Sequence, residues 1–254
     1  TAAVEKVTRS KYAQTLNAGE TAVADMGLTI TPKYATDDLS DLKIVYNSNN
    51  ASAVTTCGDE LTAVATGYAN VSAVLGGKSW YSMHVVINGK CVVSATEETQ
   101  VLPISLPSNM TATITQGKND EVKWGSDTQL TIPEDIRNDQ SKHVGYNLKI
   151  TLSNGYYFRN VITVATATIS NETEWNKYVR TVAGTEKLGY YVLTDDITIS
   201  STDAAVAGSG NGYAKGFAGS VDGNNHTIII DKNSKDGIFG VLSQPTGGRA
   251  LITD

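Results

Sequence analysis

The side chains that could pair for acid–base chemistry lie in the last quarter of the chain. Asp195 and Asp196 are adjacent, and His226 follows Asp222 by four positions. The two aspartates could act as acid and base or bind a cation, and His226 could be the general base of a lyase-like site. Neighbouring strand residues point to opposite faces, which favours an Asx turn at the aspartates. No Arg or Lys adjoins His226 to stabilise a carbanion, so we interpret it as a histidine packed on the next turn.

Two other pairs could bind or cross-link. Trp80 and Tyr81 could form an aromatic platform for a sugar ring, although adjacent strand residues face opposite sides, so at most one is expected at the surface. Cys57 and Cys91 are compatible with two separate buried thiols or with one disulfide in an exported protein. Their spacing leaves both alternatives open.

Motifs for cofactors and metals are missing from the sequence. It contains no Gly-rich phosphate loop, nucleophile elbow or Cys-x-x-Cys pair, so we expect no cofactor. Three His and two Cys supply a zinc site poorly. Asp37, Asp38 and Asp41 could hold a weak surface cation, but a solvated acidic loop is favoured, and we expect no metal site.

Composition predicts an all-β protein. The 254 residues include 31 Thr, 23 Gly and 12 Tyr, types that suit pleated surfaces and turns. The net charge of −6 and the lack of Lys/Arg runs argue against nucleic-acid binding. No apolar run approaches the ~20 residues of a membrane-spanning helix. The length predicts two or three domains.

The N-terminal third reads as short strands separated by turns. Seven strand-like runs fall between residues 11 and 88, which predicts a sandwich of two antiparallel sheets. Within this part, Tyr46–Asn50 and Leu61–Val71 resemble a bacterial Ig-like domain of group 2, with Tyr46 where that family usually has Trp. The resemblance implies an extracellular spacer or adhesin module at 1–90, without catalytic residues.

The middle of the chain, 91–169, predicts a second β-sandwich. Its strand-like runs include Tyr146–Leu152 and Tyr156–Ile169, joined by Asn154-Gly155, a hairpin signal. The stretch Arg137–His143 reads as a polar loop. The one helix that the sequence predicts covers about 172–183, where Asn171 and Glu174 form an N-cap with its capping-box partner.

The last part, 170–254, resembles the start of a right-handed parallel β-helix of bacterial cell-surface proteins. Tyr191–Ile197 is similar to the entry strand of such proteins, Phe217–Ile228 to one of their coils, and Gly237–Gly240 to the repeat called the GLUG motif. The resemblance implies that the helix at 172–183 caps the N-terminal end. Because a solenoid buries its core only between coils, we expect the natural protein to continue past Asp254, with the open end covered by self-association or fraying.

These features together predict a non-catalytic, extracellular or surface-bound bacterial protein that binds a host or environmental glycan or matrix protein. Two alternatives stay open. The chain could be the stalk of a polysaccharide lyase or hydrolase whose catalytic coils lie beyond residue 254, or a purely structural surface protein. We expect no nucleic-acid partner and no membrane insertion in this segment.

Overall fold

The computed structural model describes residues 6–31, 44–75, 77–117, 119, 122–180, 189–200, 217–231, 239 and 251–253. Contacts divide the chain into two compact units. Unit 1 comprises 1–91, 101–130 and 147–161, and unit 2 comprises 92–100, 131–146 and 162–254. Asp37, Asp38 and Asp41 lie outside the described residues, as do residues 181–183 at the end of the predicted helix and most of the GLUG-like segment.

The prediction of an all-β protein is confirmed, because strands dominate and the sheets do not close into a barrel. No helix in the described ranges is long and apolar enough to cross a membrane. The strands are β1 Lys6–Thr8, β2 Ala13–Asn17, β3 Thr21–Val23, β4 Thr29–Thr31, β5 Val45–Ser48, β6 Val54–Cys57, β7 Glu60–Ala63, β8 Gly67–Leu75, β9 Lys78–Ser94, β10 Thr99–Val101, β11 Ala112–Gln116, β12 Val122–Ser126, β13 Gln129–Thr131, β14 Gly145–Leu152, β15 Tyr157–Ala165, β16 Ala167–Ile169, β17 Tyr190–Leu193, β18 Ile197–Ile199, β19 Ser220–Asp222, β20 Ile228–Ile230 and β21 Leu251–Thr253. The helices are α1 Glu134–Arg137 and α2 Glu172–Trp175, with a 3-10 turn at Gln140–Lys142 and a π-helical turn at Asn176–Arg180.

Unit 1 is built on one large sheet and one small sheet, and β1 and β4 form a separate antiparallel pair. The large sheet has ten strands, and the nine that lie mainly in unit 1 have the order β13-β12-β11-β14-β15-β9-β8-β5, with β2 added in parallel to β9. The small sheet has the order β3-β7-β6. Side chains from both sheets form one buried core, so the two sheets pack face to face. That core contains Leu16, Met26, Tyr46, Ala53, Val54, Leu61, Val71, Met83, Val85 and Ile87.

Unit 2 stacks short strands in parallel. β16, β17, β19 and β21 form one parallel sheet, and β18 pairs in parallel with β20. Each strand of this sheet therefore lies beside the previous one and runs in the same direction. We call the stretch of chain from one such strand to the next a circuit. A second buried core lies inside, made of Ile169, Trp175, Val179, Tyr191, Leu193, Ile197, Ile199, Phe217 and Val221.

Helical structure differs from the prediction in two places. The predicted cap is present, because the Asn171 side chain accepts a hydrogen bond from the Glu174 N–H at 3.0 Å. After Trp175 the helix widens into the π-helical turn. The prediction of a plain loop at Arg137–His143 is wrong, because α1 ends there and a 3-10 turn comes after it. Asp139 caps that turn by accepting from the Ser141 N–H at 3.0 Å.

Candidate binding site

The structure contains a solvent-open pocket of about 280 Å³ in unit 2. Three separate chain segments supply its walls: the residues immediately after β9, the end of α1 with the segment that follows it, and the residue before β16. Polar side chains predominate in the lining. They are Thr96, Arg137, Asn138, Gln140, His143 and Thr166, joined by Ala95.

Local hydrogen bonds shape the wall between α1 and His143. Asp139 accepts hydrogen bonds from the Ser141 hydroxyl at 2.5 Å and from its N–H, and these bonds lower the pKa of the Asp139 carboxyl. Lys142 donates to Asp135 at 2.9 Å, which raises the pKa of the Lys142 ammonium. Both groups are exposed, so these contacts order the turn more than they stabilise the fold.

His143 is the most constrained side chain of the pocket, with only 4% of its surface exposed. Its Nε2 lies 3.3 Å from the carbonyl oxygen of Arg137, to which it can only donate. Its Nδ1 lies 2.7 Å from the Thr166 hydroxyl, which itself accepts from the Tyr190 N–H at 2.9 Å. Burial lowers the pKa of His143, which favours the neutral ring; with Nε2 donating, its proton is on Nε2 and Nδ1 accepts from the Thr166 hydroxyl. Both ring nitrogens are engaged.

The remaining polar groups can serve a ligand. Arg137 Nε donates to the Ile132 carbonyl at 3.2 Å, while Nη2 lies 3.8 Å from Glu98 Oε2, an ion pair longer than a hydrogen bond. Asn138 is exposed and its amide contacts Glu134 only at 3.5 Å. Guanidinium, amide and hydroxyl donors around a small open cavity can hydrogen-bond a neutral polyhydroxylated molecule.

A second histidine lies in unit 1 within a stack of rings. Tyr68 accepts a hydrogen bond from the Asn154 amide at 3.0 Å and donates to His84 Nδ1 at 2.5 Å. The His84 ring stacks on Tyr156 with centroids 4.0 Å apart. Burial, with the nearby Arg9 charge, lowers the pKa of His84. The ring arrangement therefore also favours a neutral histidine.

Burial lowers the pKa of His143 below its ordinary value of 6.5, and this predicts a pH-dependent stability. The unfolded chain then binds more protons than the folded one, so the stabilisation is complete above about pH 6.5 and is lost as the pH falls through the lower folded pKa. We expect denaturant midpoints of the wild type to fall from pH 8 to pH 5, and those of His143→Gln to fall less. An equal pH slope in the two proteins would contradict the assignment; His84 contributes with the same sign in both.

The predicted aromatic pair lies on β9 at a bulge. Ala73 pairs with Tyr81 and Val74 with Ser79, so Trp80 is the extra residue and strict alternation is broken. Both rings are half-buried. Tyr81 donates its hydroxyl to the Val7 carbonyl at 2.7 Å. Trp80 borders an apolar gap of about 10 Å³. The Lys78 ammonium lies over the Trp80 ring, 4.6 Å from its centre. A sugar platform at this pair stays a prediction.

The two cysteines are free thiols in the structure. Cys57 ends β6 and is exposed, whereas Cys91 is half-buried in β9. Burial raises the pKa of the Cys91 thiol, and the Asn160 amide donates to its sulfur at 3.6 Å. A disulfide between them stays a prediction that titration of thiols in the denatured, unreduced protein decides.

The acidic corner of unit 2 connects two successive circuits of the chain. Asp195 accepts from the Asp196 N–H at 2.8 Å, one residue on, whereas an Asx turn uses the N–H two residues on. Asp196 in turn accepts from the Thr227 N–H at 2.8 Å and lies 3.6 Å from His226 Nδ1. The carboxylate beside His226 is therefore Asp196, whereas Asp222 accepts from the Asn224 N–H and the Tyr190 hydroxyl.

The pocket residues carry little signal in the sequence. Arg137 and His143 lie in the stretch that the sequence predicts as a polar loop, and Thr96 and Thr166 belong to no motif. One local signal was available: Pro133 followed by two acidic residues is a helix start, and it would have placed α1 before the loop.

Comparison with known proteins does not assign the chain to a family. No protein-family model and no curated protein match it. Among solved structures, domains 4 and 5 of the S-layer protein SbsC match at 15% identity and a TM-score of 0.23, covering 64% of this chain and 99% of that one. Human mucin-like protocadherin EC1-2 matches at 12% identity and 0.20, with coverages of 63% and 98%.

A Bacteroides ovatus protein, SGBP-B of the mixed-linkage glucan utilization locus in complex with a mixed-linkage heptasaccharide, also matches. Its identity is 14%, its TM-score is 0.21, and the match covers 67% of this chain and 46% of that one. TM-scores this low carry no argument about function.

Proposed function

We propose that the chain is a non-catalytic, extracellular bacterial surface protein that binds carbohydrate through the unit 2 pocket. The observation that carries the proposal is the pocket's lining. Hydroxyl, amide and guanidinium donors face an open cavity, while both nitrogens of its histidine are occupied. Such a lining supports binding of sugar hydroxyls more than proton transfer.

The architecture proposed for this role has Ig-like modules followed by a solenoid. The face-to-face sheets of unit 1 support an Ig-like sandwich, and the parallel strands of unit 2 support the first coils of a β-helix with α2 at its end. The three-module division at 1–90, 91–169 and 170–254 is part of this proposal. In it the sandwiches act as a stalk and the coils as a display surface, and the residues that line the pocket belong to the second sandwich.

A glycan and matrix-protein array followed by calorimetry tests the function. We expect binding to a neutral glycan, and we expect Thr96→Val combined with Asn138→Ala to weaken it about tenfold through two lost hydrogen bonds. Asn109→Ala, an exposed asparagine of unit 1, is the matched control and should bind normally. Absence of binding to every glycan would support the structural alternative, and turnover of a polysaccharide would support the enzyme; either result overturns the proposal.

A further inference from the structure

Charge is unevenly distributed between the large sheet of unit 1 and the rest of the chain. The whole sequence has 26 acidic and 20 basic residues. The nine strands of the large sheet in unit 1 contain no Asp or Glu. They carry five cations: Lys78, Lys90, Lys123, Lys149 and Arg159. In a protein of net charge −6, the large sheet is thus a basic element.

Strand alternation places part of this charge on one solvent face. Along β15, Phe158 and Asn160 are buried, whereas Tyr157, Arg159 and Val161 are exposed. Half of the Tyr157 surface is accessible. The Lys149 ammonium on the adjacent β14 lies 5.0 Å from the Tyr157 ring centre, and the Arg159 guanidinium carbon lies 5.8 Å from it. An exposed aromatic ring therefore lies beside two cations.

The register of the sheet extends the row to a third cation. Thr115 on β11 is paired with Lys149 on one side and with Lys123 on the other. Residues opposite each other in neighbouring strands share a face, so Lys123 lies on the face of Lys149 and Tyr157. We call Lys123, Lys149, Tyr157 and Arg159 the basic face. From β12 to β15 it crosses three interstrand spacings, or ~14 Å.

Within the described ranges, the strand residues of this face include no carboxylate. Asp127 is in the β12–β13 turn, where it accepts a hydrogen bond from the Ala112 N–H at 3.0 Å. Asp120 and Glu121 precede β12 in the sequence and lie outside the described residues. Among the described strand residues, the face combines positive charge, threonine hydroxyls and an aromatic ring.

We propose that the basic face binds an acidic polysaccharide whose sugars carry carboxylates. The apolar side of a sugar ring can pack on Tyr157, and the acid groups pair with Lys149, Arg159 and Lys123. Duplex DNA carries one negative charge per ~1.7 Å, a density that three cations over ~14 Å match poorly. This surface is separate from the unit 2 pocket and uses different residues.

The test compares one polymer in two charge states. Polygalacturonate should bind the wild type, and its fully methyl-esterified form should bind at least tenfold more weakly, because esterification removes the carboxylates. Lys149→Gln combined with Arg159→Gln should weaken polygalacturonate binding at least tenfold, and added salt should weaken wild-type binding. Lys177→Gln is the matched control in unit 2, since Lys177 also lies over a tyrosine, Tyr178, with its ammonium 4.6 Å from the ring centre.

Several results would overturn the inference. These are equal binding of the two polymers, an equal loss in Lys177→Gln, or tighter binding of duplex DNA than of polygalacturonate. Tyr157→Ser, which keeps all three cations, should also weaken binding, and unchanged affinity in that variant counts against the aromatic contact. Melting curves of each variant confirm folding. The pocket proposal fails separately, on neutral glycans and the Thr96 and Asn138 variants.

Discussion

Replacing Trp175 by alanine is expected to lower the free energy of unfolding of unit 2 by about 3–5 kcal/mol. Its side chain is fully buried at the end of α2. It meets the Phe239 ring edge-on, with centroids 5.9 Å apart, and belongs to the core formed by the parallel strands. Removing the indole leaves a cavity inside that core. The surrounding strands cannot move in to fill it, because backbone hydrogen bonds to neighbouring strands hold them in place.

Hydrogen exchange at the amides of β17 and β18, together with denaturant unfolding, measures this loss. Trp80→Ala in unit 1 is the matched control, because Trp80 is only half-buried beside a small gap. We expect the control to lose clearly less stability and to leave protection of β17 unchanged. Equal losses in the two variants would show that Trp175 is not a central core residue of unit 2.

Gly219→Ala is expected to destabilise unit 2 by about 1–3 kcal/mol through overpacking. A Cβ at this position would lie 2.6 Å from the Gly189 carbonyl oxygen, 3.0 Å from Phe217 Cζ and 3.1 Å from Tyr191 Cε2. The same carbonyl accepts the Ser220 N–H at 2.9 Å, so the two circuits of chain approach each other closely here. Glycine permits that approach because it has no side chain.

Gly145→Ala provides the comparison for this prediction. The nearest atom to a Cβ there is the Ile162 carbonyl oxygen at 3.9 Å, an ordinary contact, so we expect little change in its melting temperature. A Gly219→Ala protein as stable as Gly145→Ala would mean that the circuits can separate without cost. The parallel register of β17 and β19 would then need revision.

Local sequence signals predicted the β class and several element positions. Alternation of apolar residues placed strands such as β8 and β14, and the Asn171 cap placed the start of α2, because strand periodicity and capping depend on residues within a few positions. The absence of acidic residues from the strands of the large sheet was also in the sequence. The sequence did not show that these cations form one surface, because that depends on the register that places Lys123 and Lys149 on the same face of the sheet.

The tertiary structure alone decided which distant residues meet. The pocket joins Thr96, the turn after α1, and Thr166, and no spacing in the chain relates these segments. His226 has Asp222 four residues before it, yet its neighbouring carboxylate is Asp196, because stacked parallel strands bring together positions one circuit apart. The periodicity of the sequence therefore predicted where strands of this protein lie along the chain. Its proposed binding surfaces depend instead on contacts between strands and segments that are far apart in the chain.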